Sequence, residues 1–505
     1  MSTSSPRPRR MPFFLGLAFL LLLGAGIGLA WFISAQGLRS PLRVLLITQP
    51  PEGSVGPDAA TCRAIGALVQ DHLEYYGKAA VTNVTSLPEN LEALRTQPRT
   101  LIVQLDPSRQ GDALVLSYRY AWGDQLVQGK PPAWTHRQGQ LLQPAETFVV
   151  FLKNFPQAIQ VQNPVLLVPR TPRIFWDLIE ASAWRLKNER LDEVTALVEE
   201  AVKQEPACAT SWILQGNLRY RRMLNNPTAF RREETDTEIQ FQHGLELAPG
   251  HPRGTFLLSL LKTDSGNQAE ALELLLRARR RQPHNPALLT GITYAARGGG
   301  LLKMARRAMD IRDGLAFAKL QPQAVDITYL YTGEIQRFEI GLREQPGHLR
   351  STSGVLPFYR GYLALVRGNR DLARQEFKAI AALSNAYPNI RRLSEIYSLI
   401  LDGQKEEAWR KLREYDQERL GMREPDGEFT LRLAEAYAML GDRASAMDMA
   451  SRAFSRGFGC IEWYERSPML EPLRSLPKWE ALIQHLRERR KLMEDRFPIG
   501  LLEDN

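Results

Sequence analysis

The chain has 505 residues, 44% apolar and 24% charged, with a formal net charge of +9. That length allows two or three domains, and that balance excludes wholesale disorder. Its three isolated cysteines, Cys62, Cys208 and Cys460, lack CxxC or CxxH spacing, so they build neither a zinc site nor a disulfide framework. The positive charge is densest at Arg277, Arg279, Arg280 and Arg281. With no recognition motif beside it, this patch reads as a solvated helix face and no nucleic-acid partner is expected.

From Met11 to Leu38 no residue is charged, and the run carries Phe13, Phe14, Leu15, Leu17, Phe19, Leu20 to Leu23, Ile27, Leu29, Phe32 and Ile33. Such a stretch is long enough to cross a bilayer, and these side chains favour insertion by on the order of 4 to 8 kcal/mol. The expectation is a short cytoplasmic tail at 1–10 and a single transmembrane helix at 11–35. Arg7, Arg9 and Arg10 before the span outnumber Arg39 and Arg43 after it, which places the body on the exported side. A cleaved signal peptide is the competing reading, with Gly28-Leu29-Ala30 as the cleavage site; the length of the apolar run favours an uncleaved anchor.

Residues 41–160 have the texture of a small α/β domain. Val44 to Ile47 is a short apolar run that reads as a buried strand. Helical spacing follows through Ala64, Ile65, Leu68, Val69, Leu73 and Tyr76. Strands are expected at Ala80 to Val84, Leu101 to Leu105, Ala113 to Tyr120 and Trp134 to Leu142, with helices at Pro88 to Arg95 and Ala145 to Phe155. Pro107 to Asp112 is expected as a hairpin turn. The order β-α-β-α-β-β-β-α, with Trp134 at an LW-type position, resembles the TolB amino-terminal-like domain. Pro51 to Gly56 holds two glycines but no lysine, so it is not a phosphate loop. Asn83-Val84-Thr85 is a glycosylation sequon only in a eukaryotic secretory setting. Whether this domain binds a ligand is left open by the sequence.

Residues 173–456 carry small and bulky residues at a spacing of roughly 34. Trp212 and Gly216 mark one helix; Gly266-Asn267, Ala271, Leu275, Ala278 and Pro283 mark a turn and its second helix. Gly361, Gly368-Asn369, Ala373 and Phe377 mark another pair, then Gly403, Ala408 and Leu412, then Tyr437, Gly441-Asp442, Ala446, Ala450 and Ala453. Weaker copies lie at Trp184 to Pro206 and around Gly291, Tyr294, Ala305 and Ala308. Arg221 to Thr237 is polar and is expected as a loop between two helices, while Leu315 to Ser353 fits the pattern badly. Helices approach closely where side chains are small, and no single pair buries its apolar face alone, so about seven pairs must stack. This pattern resembles the tetratricopeptide repeat family. The expected fold is mainly α: a tetratricopeptide α-solenoid preceded by a small α/β domain and a single transmembrane helix.

Residues 457–505 read as a capping segment and irregular tail. Gly457-Phe458 and the run Trp463 to Trp479 resemble the closing segment of bacterial proteins that join a kinase or transcription-regulator domain to a TolB-like domain and tetratricopeptide repeats. That resemblance implies the bacterial inner membrane, with the body in the periplasm or outside. The ten residues before the span leave no room for a kinase, so the docking or sensing part is expected without the catalytic output.

His72, His136, His243, His251, His284, His348 and His485 are scattered singly, and no GxSxG, HExxH, kinase or dinucleotide signature is present. Glu199-Glu200 and Glu406-Glu407 lie beside lysines and read as solvated faces. The sequence therefore offers no catalytic, cofactor-binding or metal residue, and the chain is expected to be no enzyme, without cofactor or small-molecule substrate. The expected function is a membrane-anchored scaffold that takes a protein or peptide in the repeat groove; the alternative is a signalling accessory that senses a ligand. An enzyme with an unrecognised site is the third reading, and would need a pocket of converging ionisable groups.

Overall fold

The computed structural model describes residues 42–49, 57–76, 79–85, 87–97, 99–123, 133–155, 167–184, 190–225, 227–315, 326–344, 354–383, 386–420 and 426–503. The expected tail at 1–10, the span at 11–35 and the run Pro51 to Gly56 lie outside these residues. Among the described residues no helix is long and apolar enough to cross a membrane.

The protein is mainly helical with a small sheet near its N-terminal end. The sheet region runs β1 (Arg43–Thr48), α1 (Pro57–Tyr76), β2 (Ala80–Val84), α2 (Leu91–Leu94), β3 (Thr100–Gln110), β4 (Ala113–Trp122), β5 (Thr135–Arg137) and α3 (Pro144–Asn154). The strand order is β2-β1-β3-β4-β5, with β1 parallel to β2 and β3, and the other pairs antiparallel. Side chains alternate across the sheet, as the period of two demands. Val44 and Leu46 face α1 and α3 through Val69 and Phe148, while Leu45 and Ile47 face Leu94. Two expectations are corrected here. β3 and β4 extend far past the expected hairpin turn, which is confined to Gly111 and Asp112, with Gly111 left-handed at φ +61°. The last strand is three residues plus a single bridge from Leu142 to Leu114, because Pro144 starts α3 immediately afterwards.

The helices that follow are α4 (Pro172–Trp184), α5 (Leu191–Gln204), α6 (Ala209–Asn225), α7 (Pro227–Leu247), α8 (Pro252–Asp264), α9 (Gln268–Arg281), α10 (Pro286–Gly298) and α11 (Leu302–Leu315). They continue as α12 (Thr328–Thr332), α13 (Ile335–Glu344), α14 (Val355–Val366), α15 (Arg370–Ala381), α16 (Pro388–Leu401), α17 (Lys405–Leu420), α18 (Gly427–Leu440) and α19 (Arg443–Ser455). Consecutive helices pair, giving eight tetratricopeptide-like hairpins among the described residues. Six hairpin turns pivot on a glycine with positive φ, at Gly266, Gly300, Gly333, Gly368, Gly403 and Gly441. Their intervals are 34, 33, 35, 35 and 38 residues. Each ends a helix in the left-handed region, where a side chain would be strained, and lets the next N–H turn back onto the helix. Asn267 donates to the Lys262 carbonyl at 2.8 Å in this way.

Within the poorly matching stretch from Leu315 to Ser353, the described residues 326–344 form two short helices with Gly333 between them at the repeat interval. The expected loop from Arg221 to Thr237 is instead helical on both sides of residue 226. The two longest helices of the solenoid, α6 and α7, pack along each other there through Tyr220, Met223 and Phe241. Its charges are spent on the helix surface: Arg222 meets Glu233 at 2.7 Å and Arg219 meets Glu199 at 3.1 Å. Polarity was the wrong criterion at that position.

After α19 come α20 (Ile461–Arg466), a 3-10 turn at Pro468–Leu473 and the long α21 (Pro477–Arg496). Trp463, Leu470, Leu473 and Trp479 are buried in the core of the last hairpins. The expected irregular tail is ordered as well. Met493, Phe497 and Leu502 join the core of α9 to α11, and the Arg279 guanidinium donates to the carbonyls of Leu501 and Leu502. The C-terminal segment therefore folds back on the middle of the solenoid. At one point the two backbones meet directly: Gly459 N–H donates to the Gly298 carbonyl at 2.7 Å, and a Cβ on Gly300 would lie 2.3 Å from the Gly459 oxygen. Replacing Gly300 with Val is expected to cost roughly 1–3 kcal/mol and to loosen this seam. Hydrogen exchange across 477–502 should quicken while the sheet is unaffected; unchanged exchange would refute the seam.

Candidate functional site

Helix α18 is the structural centre. An ordinary solenoid helix shows one face to a neighbour and another to solvent, but every residue from Thr430 to Ala438 is buried. The helix is surrounded by residues far away in sequence, so charged groups on it had to be matched inside the protein. Arg432 and Glu435, one turn apart on one face, meet at 3.1 Å. The Arg432 guanidinium lies 4.1 Å from the centre of the Tyr362 ring and donates to the hydroxyl oxygens of Tyr362 and Tyr331. Glu435 accepts from the Tyr362 hydroxyl at 2.8 Å, from Trp463 Nε1 at 3.0 Å and from the Ser467 hydroxyl at 2.7 Å. Tyr397 donates to the Arg432 carbonyl at 3.0 Å.

A second layer extends the network toward the middle hairpins. Arg297, at the end of α10, pairs with Asp326 at 3.0 Å and with Glu428 at 3.2 Å. The other Glu428 oxygen accepts from the Tyr331 hydroxyl. Burial alone would raise the Asp326 carboxyl, but Arg297 and the Thr328 hydrogen bond outweigh it and hold the group below its ordinary range. These contacts bridge hairpins separated by up to 131 residues.

Beside them lies a carboxyl pair. Asp264 ends α8 and accepts from the Tyr294 hydroxyl at 2.5 Å and from the Tyr220 hydroxyl. Asp426 caps α18, accepting from the Glu428 N–H at 2.8 Å. Burial lifts Asp264 to about 6, with the charge of Glu428 adding and the Tyr220 and Tyr294 hydrogen bonds and Arg297 opposing, and lifts Asp426 to about 7, with the charges of Asp264 and Glu428 adding and the Glu428 N–H and Arg419 opposing. Both carboxyls hold their protons more tightly folded than unfolded.

A further junction joins the sheet region to the repeats. Asp71 on α1 meets Arg253 at 2.8 Å, Asn285 donates to Glu74 at 3.0 Å, and Gln282 donates to the Tyr75 carbonyl at 3.2 Å. Burial raises Glu74 to about 7 and depresses His72 and His251 to about 4, so both imidazoles are neutral at pH 7. Helix α4 serves both sides: Phe175, Trp176 and Ile179 cover the sheet, and Ile174, Leu178 and Ala181 pack in the first hairpins.

All three cysteines are buried, and none forms a disulfide among the described residues. Among the described residues no group of three or more His, Cys, Asp or Glu side chains could hold a metal. The pairs at Glu199-Glu200 and Glu406-Glu407 are partly or fully solvent-exposed and bonded to Arg219, Lys203 and Arg410. None of the charged residues in the central network was singled out from sequence. The signal was present as Arg432 and Glu435, two charges at helical spacing within the apolar run GEFTLRLAEAYAML.

No protein-family model and no curated protein matches the chain. Among solved structures, the crystal structure of the P58(IPK) TPR domain aligns with 64% of this chain and 99% of its own, at 12% identity and a TM-score of 0.19. At that TM-score the two do not share a common superposition, so the tetratricopeptide-like character rests on the hairpins and their glycine intervals.

Removing one member of the central pair, as in Glu435→Ala, leaves a buried guanidinium unmatched and should cost about 3–5 kcal/mol. The double variant Arg432→Met, Glu435→Leu should recover much of that in denaturant unfolding; equal losses in single and double variants would contradict a coupled pair. The acid pair sets a pH dependence of opposite sign to ordinary acid unfolding. Raised carboxyls favour the folded state at low pH, and that contribution fades as pH rises from the ordinary aspartate value of 3.8 to about 6 to 7. Asp426→Asn, which keeps the cap, should therefore raise the melting temperature at pH 8 and change it much less at pH 4; the reverse order would refute the assignment.

Proposed function

We propose that the chain is a protein-interaction scaffold, tethered to a bacterial envelope membrane by residues 11–35 with its folded body on the exported side. The observation that supports this most is the run of eight helix hairpins, six of them with glycine turns 33 to 38 residues apart. Such stacks present long, rigid, sequence-variable surfaces suited to holding other polypeptides. The uncharged run from Met11 to Leu38 and the arginines before it support the tether and its orientation.

One element of the expected function changes. A free inner groove was the expected seat for a partner peptide, but α18 and its network occupy the interior of the C-terminal hairpins. A peptide there would have to displace a set of buried, mutually paired charges, at a cost no short segment recovers. In the C-terminal hairpins the scaffold therefore offers its outward helix faces, with the interior acting as its brace, and the repeat groove remains the proposed seat in the hairpins before them.

Two measurements test this. Deleting residues 11–35 should move the chain from the membrane to the soluble fraction; a chain that sediments with membranes regardless contradicts the tether. Cross-linking in native membranes followed by purification of the full chain should recover one polypeptide in stoichiometric yield. Purification of the chain alone under those conditions would overturn the scaffold.

A further inference from the structure

A narrow crevice, with about 40 Å³ open to the centre of a water-sized sphere, opens where α1 meets the first hairpins. One wall is aliphatic and aromatic, with Leu68 of α1 and Phe175, Leu178 and Ile179 of α4. The opposite wall is a single stripe of α6: Thr210, Ile213, Leu214 and Asn217, spaced so that all four share one helix face. His251 and Arg253, at the start of α8, close the end.

The polar groups in this crevice are built but unused. Asn217 is 6% exposed, and its carboxamide makes no side-chain hydrogen bond among the described residues. The Thr210 hydroxyl is buried without a partner. His251 is 2% exposed; its Nδ1 accepts from the Gly254 N–H at 3.3 Å, so the hydrogen of the neutral ring sits on Nε2, which is also without a partner. Buried polar groups are almost always satisfied, and two unsatisfied ones, Thr210 Oγ1 and His251 Nε2, lining one crevice are a departure from that rule. The single ion pair present, Arg253 with Asp71, is internally neutral and leaves the crevice without net charge.

We propose that this crevice is a binding site for a small molecule with a slender aliphatic body and a head that accepts hydrogen bonds, such as the carboxylate or amide end of a short acyl chain. The apolar walls take the body, as concave sites with few convergent polar groups do. The His251 Nε2–H, the Asn217 amide and the Thr210 hydroxyl supply donors to the head. Because α1 belongs to the sheet region, α6 and α8 to the solenoid and α4 to both, the occupant would touch both regions and join them. The site stands independently of the scaffold reading, since it needs neither the membrane span nor a protein partner.

The probes are hexanoate, hexanamide and 1,2-hexanediol, added to the full chain held in lipid nanodiscs and followed by saturation-transfer NMR, with empty nanodiscs as the reference. Hexanoate or hexanamide is expected to bind at least about tenfold more tightly than the diol, because only they offer a carbonyl acceptor. Asn217→Leu should remove that preference while keeping weak binding of all three. Ala67→Phe, which fills the crevice from a partly exposed position of α1, should abolish binding of all three. Both variants are checked for folding by hydrogen exchange in α14 to α19. Binding unchanged in a folded Ala67→Phe chain, or no binding of any probe above the empty-nanodisc reference, overturns the site.

Discussion

The burial of α18 on all sides is the constraint on which the architecture turns. A helix with Arg432 and Glu435 in its middle can be enclosed only if both charges find partners, and the partners come from distant hairpins: Tyr331, Tyr362, Trp463 and Ser467. In a low-dielectric interior this matching costs more than an apolar core would, so its value lies in specifying one arrangement. Only one curl of the solenoid brings these groups together. Arg297 with Glu428, and Asp264 beside Asp426, extend the same requirement to the middle hairpins.

From that curl the rest follows. The capping segment after α19 delivers Trp463 to the network, and α21 then runs back along α9 to α11, where Phe497 and Leu502 find a core. The seam is possible because Gly300 and Gly459 carry no side chain, so two backbones meet directly. At the other end α4 is shared between the sheet and the first hairpin, which makes the sheet region an extension of the stack. A solenoid that would ordinarily be held only by nearest neighbours thereby gains contacts across more than 200 residues of sequence.

Much of this fold was legible in the sequence and some of it was not, for definite reasons. Strand runs such as Val44 to Ile47, and helix pairs such as those around Gly368 and Gly441, announce themselves because local periodicity and turn chemistry agree. The stretch around Gly333 was obscured because its helices are short, although its glycine keeps the interval. Arg221 to Thr237 misled because charged residues on the outer face of two long helices resemble a loop in composition. The interior network was invisible in a different way. Arg432 and Glu435 look like any exposed helical pair, and only tertiary structure reveals that their neighbours enclose them. The crevice polar groups share that character: Thr210 and Asn217 are unremarkable on a helix until Leu68 and Phe175 are placed opposite.

The closed curl is tested most directly by a distance between its meeting ends. Glu273 and Arg496 pair across the seam, both are solvent-exposed, and the native cysteines are buried, so cysteines introduced at these two positions can be spin-labelled selectively. Double electron–electron resonance on the full chain should give a narrow distribution at the shortest distances the method resolves. A broad distribution at long distance would show an open solenoid and contradict the enclosure of α18.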